Sequence, residues 1–406
     1  MTLPGAELLS HVQCLDTCQS EMVSLVQRLC NQNSGTYNLE GLQVVREMLA
    51  QEYAILEADV NVRDVEPHTP VDDSGQLVTR ELGALLHLVK RPENRPRVLL
   101  CIHMDTVYAQ EDAFQECVWD DPHRLNGPGV ADAKGGLVVM LYALRALESS
   151  PWSDRLGWEV IINSDEEIGS IGSAKFLAER AGQADYGLLF EPSLPDGTMV
   201  STRKGTGNFE FVFRGRSAHS GRDFEKGRNA VVACCKMMND IWHLNEKSGA
   251  TFNVGRISGG GALNMVPELA IGRINVRATS LEEQQEAERM LGRLVDHYNS
   301  TESPLEGIKV EQYGRFTSPP KMMSPEIVEL QLRIETCGQW LGIDIGWRPT
   351  GGACDGNKFS AAGLPNIDTL GPQGGLIHSS AEYLLTDSLV PRAKLAALAL
   401  MSLASE

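Results

Sequence analysis

The order of strand-like and helix-like segments constrains the fold of this chain more than any other feature of the sequence. The apolar run in residues 98–105 has the length of a buried strand and delivers His103 near its end. A helical pattern begins at Gly135, and strand patterns follow at residues 158–163 and 186–190. Because strands that alternate with helices form parallel sheets, we predict an α/β fold with a mixed, mostly parallel sheet flanked by helices.

A second pattern begins near residue 203 and interrupts the first. Its segments have the order strand, helix, strand, strand, helix, strand and lie at residues 207–214, 228–243, 251–257, 269–277, 281–299 and 308–313. This is the order of a ferredoxin-like α+β unit. We therefore predict an inserted domain at residues 203–314, between two segments of the first domain at residues 1–202 and 315–406.

Composition limits the partners of this chain. Its 54 acidic and 36 basic residues give a formal net charge of −18, which argues against nucleic acid and anionic membranes as partners. A small molecule or a short peptide is the expected substrate. The sequence shows neither a signal-peptide pattern nor an apolar run of membrane-spanning length, so we expect a cytoplasmic protein without membrane contact.

Five residues with metal-binding side chains end strand patterns or follow glycine-rich turns, namely His103, Asp132, Glu167, Glu191 and His378. Each one alone has an ordinary structural explanation, such as a carboxylate at a helix entrance for Asp132. Together they match a metal centre, because a catalytic zinc ion takes three protein ligands and a water. If Asp132 bridges, the five residues fill the ligand positions of two ions, and their carboxylates with a hydroxide nearly balance the charge of two divalent cations. We therefore predict a two-metal site.

Asp105 and Glu166 are predicted to support this site without binding metal. Asp105 lies two residues after His103, so on a strand it would point the same way and fix the imidazole. Glu166 precedes the predicted ligand Glu167, and neighbours on a strand point to opposite sides. A hydrolase with a metal-activated water needs an unligated carboxylate to move protons, and we predict that Glu166 is this general base.

The motifs that carry these residues resemble those of metallopeptidase family M20, and of its glutamate carboxypeptidases in particular. They follow the family's order at residues 103–108, 127–136, 165–170, 190–193 and 371–379. The resemblance implies a zinc-exopeptidase-like catalytic domain, a smaller lid domain through which a homodimer forms, and two zinc ions per chain, with Co²⁺ or Mn²⁺ as alternatives. One zinc ion would be held by His103, Asp132 and Glu191, and the other by Asp132, Glu167 and His378.

The resemblance also assigns roles to residues of the inserted domain. His219 would serve the active site of the neighbouring subunit by binding the developing oxyanion. Asn264 matches a substrate-facing asparagine, and Arg277 and Arg315 match arginines associated with a substrate carboxylate. Arg277 ends a predicted strand, and we expect it to lie next to Asn264.

Three functions are compatible with these motifs. The leading one is a carboxypeptidase that releases a C-terminal amino acid such as glutamate. An N-acyl-amino-acid deacylase, of the acetylornithine deacetylase or succinyl-diaminopimelate desuccinylase type, would use the same metal core. A non-catalytic binding protein is the third, and it is disfavoured because such a protein has no chemical need for Glu166.

Two positions depart from the family pattern. Ala133 stands where many relatives carry Asp, and this leaves the backbone geometry at that point open. Cys354 stands where Ser or Thr is usual, and we predict a packed cysteine near the cleft.

Overall fold

The computed structural model describes residues 5–300 and 305–405. Its helices are α1 (Gly5–Val12), α2 (Gln19–Cys30), α3 (Leu39–Tyr53), α4 (Gly135–Glu148), α5 (Ala174–Ala181), α6 (Ala230–Trp242), α7 (Leu281–Asn299), α8 (Pro325–Leu341), α9 (Asp355–Ala361) and α10 (Leu389–Leu403). Its strands are β1 (Asp59–Arg63), β2 (Leu85–Lys90), β3 (Arg97–His103), β4 (Val118–Asp121), β5 (Arg124–Asn126), β6 (Gly157–Asn163), β7 (Tyr186–Leu189), β8 (Met199–Arg203), β9 (Gly205–Arg214), β10 (Thr251–Gly259), β11 (Leu269–Ala278), β12 (Lys309–Ser318), β13 (Trp347–Thr350), β14 (Asn366–Ile367), β15 (Gly374–Gly375) and β16 (Tyr383–Leu385). In this described part of the chain, no helix has the length and apolar composition of a membrane span.

Six strands form the larger sheet, in the order β1-β2-β6-β3-β7-β14. The four strands β6, β3, β7 and β14 pair in parallel, whereas β1 and β2 are added antiparallel. The predicted mixed, mostly parallel sheet is therefore confirmed. Because β14 comes from the C-terminal part of the chain, the sheet combines strands from two separated segments.

The larger sheet has a buried central strand and buried helices, and its parallel strands end at one edge. β3 is buried along nearly its whole length between β6 and β7, and the apolar helices α4 and α10 are buried beside it. Helices that are apolar on all sides pack inside a domain rather than on its surface. Because β3, β6 and β7 are parallel, their carboxyl ends meet at one edge of the sheet. This edge is where ligands collect in open α/β sheets.

Four strands form a second sheet, in the order β10-β11-β9-β12, and all its pairs are antiparallel. Its elements follow the predicted order strand, helix, strand, strand, helix, strand. Phe209, Phe211 and Phe213 of β9 point from one face of the sheet into an apolar core shared with α6 and α7. The other face, here called the polar face, carries the charged pair Glu210 and Arg273 beside the apolar Val212 and Ile271.

The predicted domain division at residues 203 and 315 stays a prediction, and its second boundary falls inside β12. The sequence analysis predicts a strand at residues 308–313. In the structure β12 continues through Gly314, where an added Cβ would lie 2.1 Å from the carbonyl oxygen of Asn208. The glycine is therefore explained by a close approach of two strands rather than by the end of one.

Three further elements differ from the sequence prediction. The stretch between Met104 and Gly127 is rich in Asp and Glu, a composition typical of a loop, but β4 and β5 pair there and join β16 and β15 in a small sheet. The apolar pattern at residues 365–370 predicts a strand, of which only the two-residue β14 forms. β8 and β13 form a parallel pair that the pattern did not predict.

Candidate metal centre and active site

His103 lies at the end of β3 and is almost completely buried. Its Nδ1 atom is 3.0 Å from the backbone oxygen of Asp105, which can only accept a hydrogen bond. Nδ1 therefore carries the proton in the neutral ring, and Nε2 presents a lone pair. Nε2 in turn lies 3.0 Å from Asp132 Oδ1 and 3.9 Å from Glu191 Oε2. A lone pair that faces two carboxylates requires a proton or a metal ion between them.

Asp132 lies in the turn that leads into α4, and buried Glu382 holds this turn in place. Backbone N–H groups of Gly129, Ala131 and Asp132 donate to the Glu382 carboxylate at 3.1, 3.0 and 3.0 Å, and the Tyr108 hydroxyl donates at 2.7 Å. The side chain of Asp132 is thereby presented to His103 on one side and to His378, 3.3 Å away, on the other. Glu382 was not predicted from the sequence, because it directly precedes the short strand β16 and its partners lie about 250 residues earlier in the chain.

Glu166 and Glu167 follow β6 in a short 3₁₀ helix, Glu166–Ile168, and not on a strand as predicted. Their different directions come from this helical turn and not from strand alternation. The backbone N–H groups of both residues donate to Asp105 Oδ1 and Oδ2 at 3.1 and 3.2 Å, and Asp105 also accepts from the Thr36 hydroxyl at 2.7 Å. Asp105 lies beside His103 as well, with its Oδ1 3.3 Å from Nδ1. The buried carboxylate of Asp105 therefore fixes both the His103 ring and the turn that carries Glu166 and Glu167.

The remaining predicted ligands complete the cluster. Glu191 follows β7, and His378 lies 3.2 Å from Glu167 Oε2. Burial raises the pKa of Glu191 to about 8. The charge of His103 acts against this increase, and the charge of Asp132 adds to it. Burial and the nearby charge of Asp132 raise the pKa of Glu167 to about 7, while hydrogen bonds to Asp132 and Glu167 raise the pKa of His378 to about 11. Acids that hinder each other's ionisation in this way are stabilised by a cation.

Within the described residues, two groups of three have the geometry of metal sites. They are His103, Asp132 and Glu191, and Asp132, Glu167 and His378, with all ligand atoms of a group within 4.8 Å of one another. Asp132 belongs to both. One oxygen of Glu167 is buried without a hydrogen-bond partner. The donor sets of one imidazole and two carboxylates, with a free carboxylate oxygen, fit two divalent cations.

His219 and Asn264 lie together but outside both groups. His219 pairs with Met265 in an isolated β-bridge, its Nδ1 accepts from the N–H of Gly221 at 3.1 Å, and the N–H of Ser220 donates to the carbonyl of Asn264 at 2.9 Å. Both residues therefore occupy neighbouring turns at the end of the second sheet where β11 begins.

Arg277 lies at the opposite end of β11, so the expectation that it neighbours Asn264 is wrong. β11 starts at Leu269, after the turn that holds Asn264, and at about 3.4 Å per residue Arg277 lies about 27 Å further along the strand from Leu269.

The guanidinium of Arg277 is held by two contacts. Arg277 Nε donates to Asn275 Oδ1 at 2.8 Å, and Nη1 donates to the carbonyl of Gly351 at 3.3 Å. The amide of Asn275 is itself held by Thr206 and Asn208, with N···O distances of 2.9 and 2.8 Å. Asn275, which the sequence analysis missed, thus orients the guanidinium.

Arg315 is exposed on β12 and lines a cavity of about 820 Å³ between the two sheets. Glu167 and Ile168 border the same cavity, which therefore extends from the second metal group across the polar face of the second sheet. Arg315 makes no hydrogen bond or ion pair with any residue in the described ranges.

The two departures from the family pattern have clear environments. The Asp132–Ala133 peptide bond is cis. Cys354 is buried and its Sγ accepts from the N–H of Gly356 at 3.3 Å at the start of α9, and burial raises the pKa of its thiol. The burial of Cys354 and its hydrogen bond agree with a packed cysteine that caps α9.

Comparisons with known proteins agree with this geometry. The family model described as peptidase family M20/M25/M40 matches residues 99–402. Carboxypeptidase G2 from Pseudomonas sp. (strain RS-16) is 27% identical over 399 residues, which cover 95% of this chain and 90% of that protein. Succinyl-diaminopimelate desuccinylase from Verminephrobacter eiseniae (strain EF01-2) is 24% identical over 283 residues, covering 65% of this chain and 67% of that protein.

A solved structure shows the same fold. A tripeptidase from Staphylococcus aureus subsp. aureus Mu50 superposes with a TM-score of 0.73 at 22% identity, and the match covers 96% of this chain and 99% of the tripeptidase. Because the family match spans most of the sequence, the chain belongs to peptidase family M20/M25/M40 and is a metallopeptidase of that family.

Proposed function

We propose that the protein is a two-zinc hydrolase that cleaves the amide bond next to a free carboxylate, as a carboxypeptidase that releases a C-terminal amino acid such as glutamate. One observation carries this proposal. Asp132 is shared by two groups with metal-site geometry, and Glu166 lies beside them but belongs to neither. This is the arrangement that metal-assisted hydrolysis with a separate proton carrier needs.

The ligands would be His103, Asp132 and Glu191 for one ion and Asp132, Glu167 and His378 for the other. Imidazole and carboxylate donors suit zinc, and Co²⁺ and Mn²⁺ also accept this ligand set. When bound, the ions would supply Lewis-acid activation of the water and of the substrate carbonyl.

Glu166 would move the protons of the reaction. Burial raises the pKa of its carboxyl group well above the usual range, so this carboxyl group holds a proton more tightly than an exposed glutamate does. It would take a proton from the attacking water and deliver it to the leaving amine. Asp105 holds the backbone of Glu166 and thereby fixes the position from which the carboxylate acts.

Arg277 would recognise the free carboxylate of the substrate. Its guanidinium is partly buried, burial lowers its pKa, and no carboxylate of residues 5–300 or 305–405 pairs with it. A desolvated cation without a counter-ion favours an anionic ligand, and the planar guanidinium can bind a carboxylate through two parallel hydrogen bonds. Arg315 would contribute from the cavity that borders Glu167.

An N-acyl-amino-acid deacylase remains the second candidate, and the similarity to a desuccinylase favours it. Both reactions hydrolyse an amide beside a carboxylate with the same metal core. The experiment that separates them is a hydrolysis screen of the zinc-loaded protein. Substrates would be dipeptides, N-acetyl amino acids and folate-like acyl-glutamates, each with a free and an amidated carboxylate.

We expect cleavage of compounds with a free carboxylate and much slower cleavage of the amidated forms. A carboxypeptidase would prefer acyl-glutamates or peptides, and a deacylase would prefer simple N-acyl amino acids. Equal turnover of free and amidated substrates, or no hydrolysis with zinc, cobalt or manganese, would contradict the proposal.

A further inference from the structure

Residues 68–80 form a hairpin between β1 and β2, here called the docking hairpin. Its two sides pair through the backbones of His68 and Arg80, with N···O distances of 2.9 and 2.8 Å. Asp72 Oδ1 accepts from the N–H groups of Ser74 and Gln76 at 2.9 Å each, and this shapes the tip. The hairpin is thus a formed element with its own hydrogen bonds.

The docking hairpin packs on the polar face of the second sheet through Val71. This valine is only 4% exposed and forms a small apolar cluster with Val212 of β9 and Ile271 of β11. Leu269 and Tyr313 pack around the cluster. Because the cluster lies outside the main cores, its burial serves the contact between hairpin and sheet.

An ion pair on the sheet also holds the backbone of Val71. Glu210 and Arg273 are directly opposite each other on β9 and β11, and Arg273 Nε lies 2.8 Å from Glu210 Oε1. The other oxygen of Glu210 accepts from the N–H of Val71 at 3.0 Å, and Arg273 Nη2 donates to the carbonyl of Val71 at 3.0 Å. The pair therefore binds both polar groups of one residue, as a neighbouring strand would.

Further contacts fix both ends of the docking hairpin. At the tip, Asp73 lies 2.6 Å from Arg256 and 3.1 Å from Arg273. At the base, the Tyr37 hydroxyl and His68 Nδ1 share a hydrogen bond of 2.8 Å, and the Arg80 guanidinium lies 5.0 Å from the centre of the Tyr37 ring. The hairpin is therefore attached both to the loop between α2 and α3 and to the second sheet.

The docked hairpin forms one wall of the 820 Å³ cavity that borders Glu167. Leu77 belongs to this wall although 57% of it is exposed, and Ile168 and Ile171 line the cavity from the metal side. An exposed leucine has an ordinary explanation as surface, but this one shares a cavity with two isoleucines next to a metal group. Such an apolar lining suits the apolar part of a ligand.

We propose that the docking hairpin is a specificity element, which is held on the second sheet through Val71 and places Leu77 against an apolar group of an amide substrate. This inference rests on the proposed hydrolase function and names the chemical class that the site prefers. Selection would arise because a short group leaves Leu77 in water, whereas a longer apolar group buries it.

The test compares kcat/KM in two substrate series with the zinc-loaded protein. One series varies the acyl group of an N-acyl-glutamate from acetyl to butanoyl to hexanoyl, and the other varies the amino acid of an N-acetyl amino acid from alanine to valine to leucine. In the series whose varied group enters the cavity, we expect the wild type to prefer the longest member. Leu77→Ser should reduce this preference about 5- to 10-fold, as the loss of a partly buried leucine contact predicts.

Val71→Asp should reduce the same preference, because a buried carboxylate cannot remain in the apolar cluster. Hydrogen exchange of residues 68–80 should become faster in this variant, which reports undocking independently of turnover. The matched controls are Leu332→Ser, since Leu332 is also 57% exposed but lies on α8, and Val62→Asp on exposed β1. Neither control should change the preference or the exchange.

The outcomes separate the two proposals. Hydrolysis of both series with the same preference in wild type and Leu77→Ser would overturn the role of the hairpin and leave the hydrolase function intact. Absence of any hydrolysis would contradict the proposed function. In that case, thermal stabilisation by the hexanoyl and acetyl compounds still decides the inference, since an equal shift for wild type and Leu77→Ser with both compounds would overturn it.

Discussion

At the scale of single residues, Glu166 differs from the neighbouring acids Asp132, Glu167 and Glu191 because it belongs to neither metal group. We predict that Glu166→Gln lowers turnover by about 10²–10⁴, since the amide keeps the shape of the side chain but cannot accept a proton. Metal content, measured by mass spectrometry of the purified protein, should stay near two ions per chain. The Asp105 contacts use the backbone and are unchanged by the substitution.

His103→Ala is the matched variant for this prediction, because His103 belongs to a metal group and Glu166 does not. It should lose bound metal as well as activity. Near-normal turnover in Glu166→Gln would show that another group carries the proton.

Arg277 gives a second prediction at this scale. Arg277→Ala should lower kcat/KM for substrates with a free carboxylate by about 10²-fold or more, because the anchor also orients the scissile amide. Amidated substrates should already be poor and should lose little further. The control is Arg289→Ala, which removes an arginine from a surface pair with Glu286 on α7. Equal losses on acids and amides would assign Arg277 to the fold.

Residues whose role depends on a strand end could be predicted from the sequence, and residues that act through long-range contacts could not. His103, Glu167 and Glu191 lie close together because they follow the parallel strands β3, β6 and β7, whose carboxyl ends share one edge. Asp132 and His378 reach the same place from the turn before α4 and the segment after β15. Glu382 and Asn275 were missed, since their partners lie elsewhere in the chain or across strands. The position of Arg277 relative to Asn264 was wrong for a related reason, because nearness in sequence does not show which end of a strand a residue occupies.

At the scale of elements, a buried charged cluster joins β8, the segment after β12 and the segment after β14. Asp368 receives two hydrogen bonds from Arg203, at 2.9 and 3.0 Å, and one from Lys321 at 2.8 Å. Removing its charge would leave two buried cations without a counter-ion. We predict that Asp368→Asn lowers the free energy of unfolding by about 3–5 kcal/mol at pH 7, measured by urea denaturation.

The pH dependence of this loss has a definite sign. Burial raises the pKa of Asp368, but Arg203 and Lys321 outweigh it and hold the pKa at about 2, below the ordinary value of 3.8. The stabilisation is therefore complete above the ordinary value and is lost as the pH falls through about 2. The difference between wild type and Asp368→Asn should shrink over this range.

Asp387→Asn serves as the control for Asp368→Asn, because Asp387 pairs with His123 on the surface. It should change stability by at most about 1 kcal/mol. A difference between wild type and Asp368→Asn that stays constant down to pH 2 would mean that folding does not lower the pKa of this aspartate.

Elements with strong apolar patterns could be predicted, and short or irregular ones could not. β3, β6, β9 and α4 follow their periodicity because each buries a continuous apolar surface. β4 is fully exposed, so its sequence carries no apolar alternation to detect. The docking hairpin is stabilised by contacts with β9 and β11, which follow it in the sequence by more than a hundred residues.

At the scale of the whole molecule, the second sheet separates two sets of proposed substrate-binding residues. Arg277 contacts Gly351 of the C-terminal segment, whereas His219 and Asn264 lie beyond the other end of β11, which extends about 27 Å from Leu269 to Arg277. The turns around His219 and Asn264 expose large apolar side chains, and Leu263 is 101% exposed. We propose that this end meets a second copy of the chain in a two-fold dimer, where His219 completes the partner's site.

This arrangement predicts complementation between two inactive proteins. His219→Ala lacks the histidine that a chain gives to its partner, and Glu166→Gln lacks the base of its own site. In a hybrid dimer, the site that contains Glu166 of the first variant and His219 of the second is intact, so an equal mixture should recover up to about a quarter of wild-type activity.

Mass spectrometry of differently tagged chains measures subunit exchange and shows whether hybrid dimers form. If His219 serves its own site, each site in the hybrid still lacks one residue, and no activity should return although exchange is complete. A monomer that retains full activity in sedimentation experiments would exclude the shared site as well.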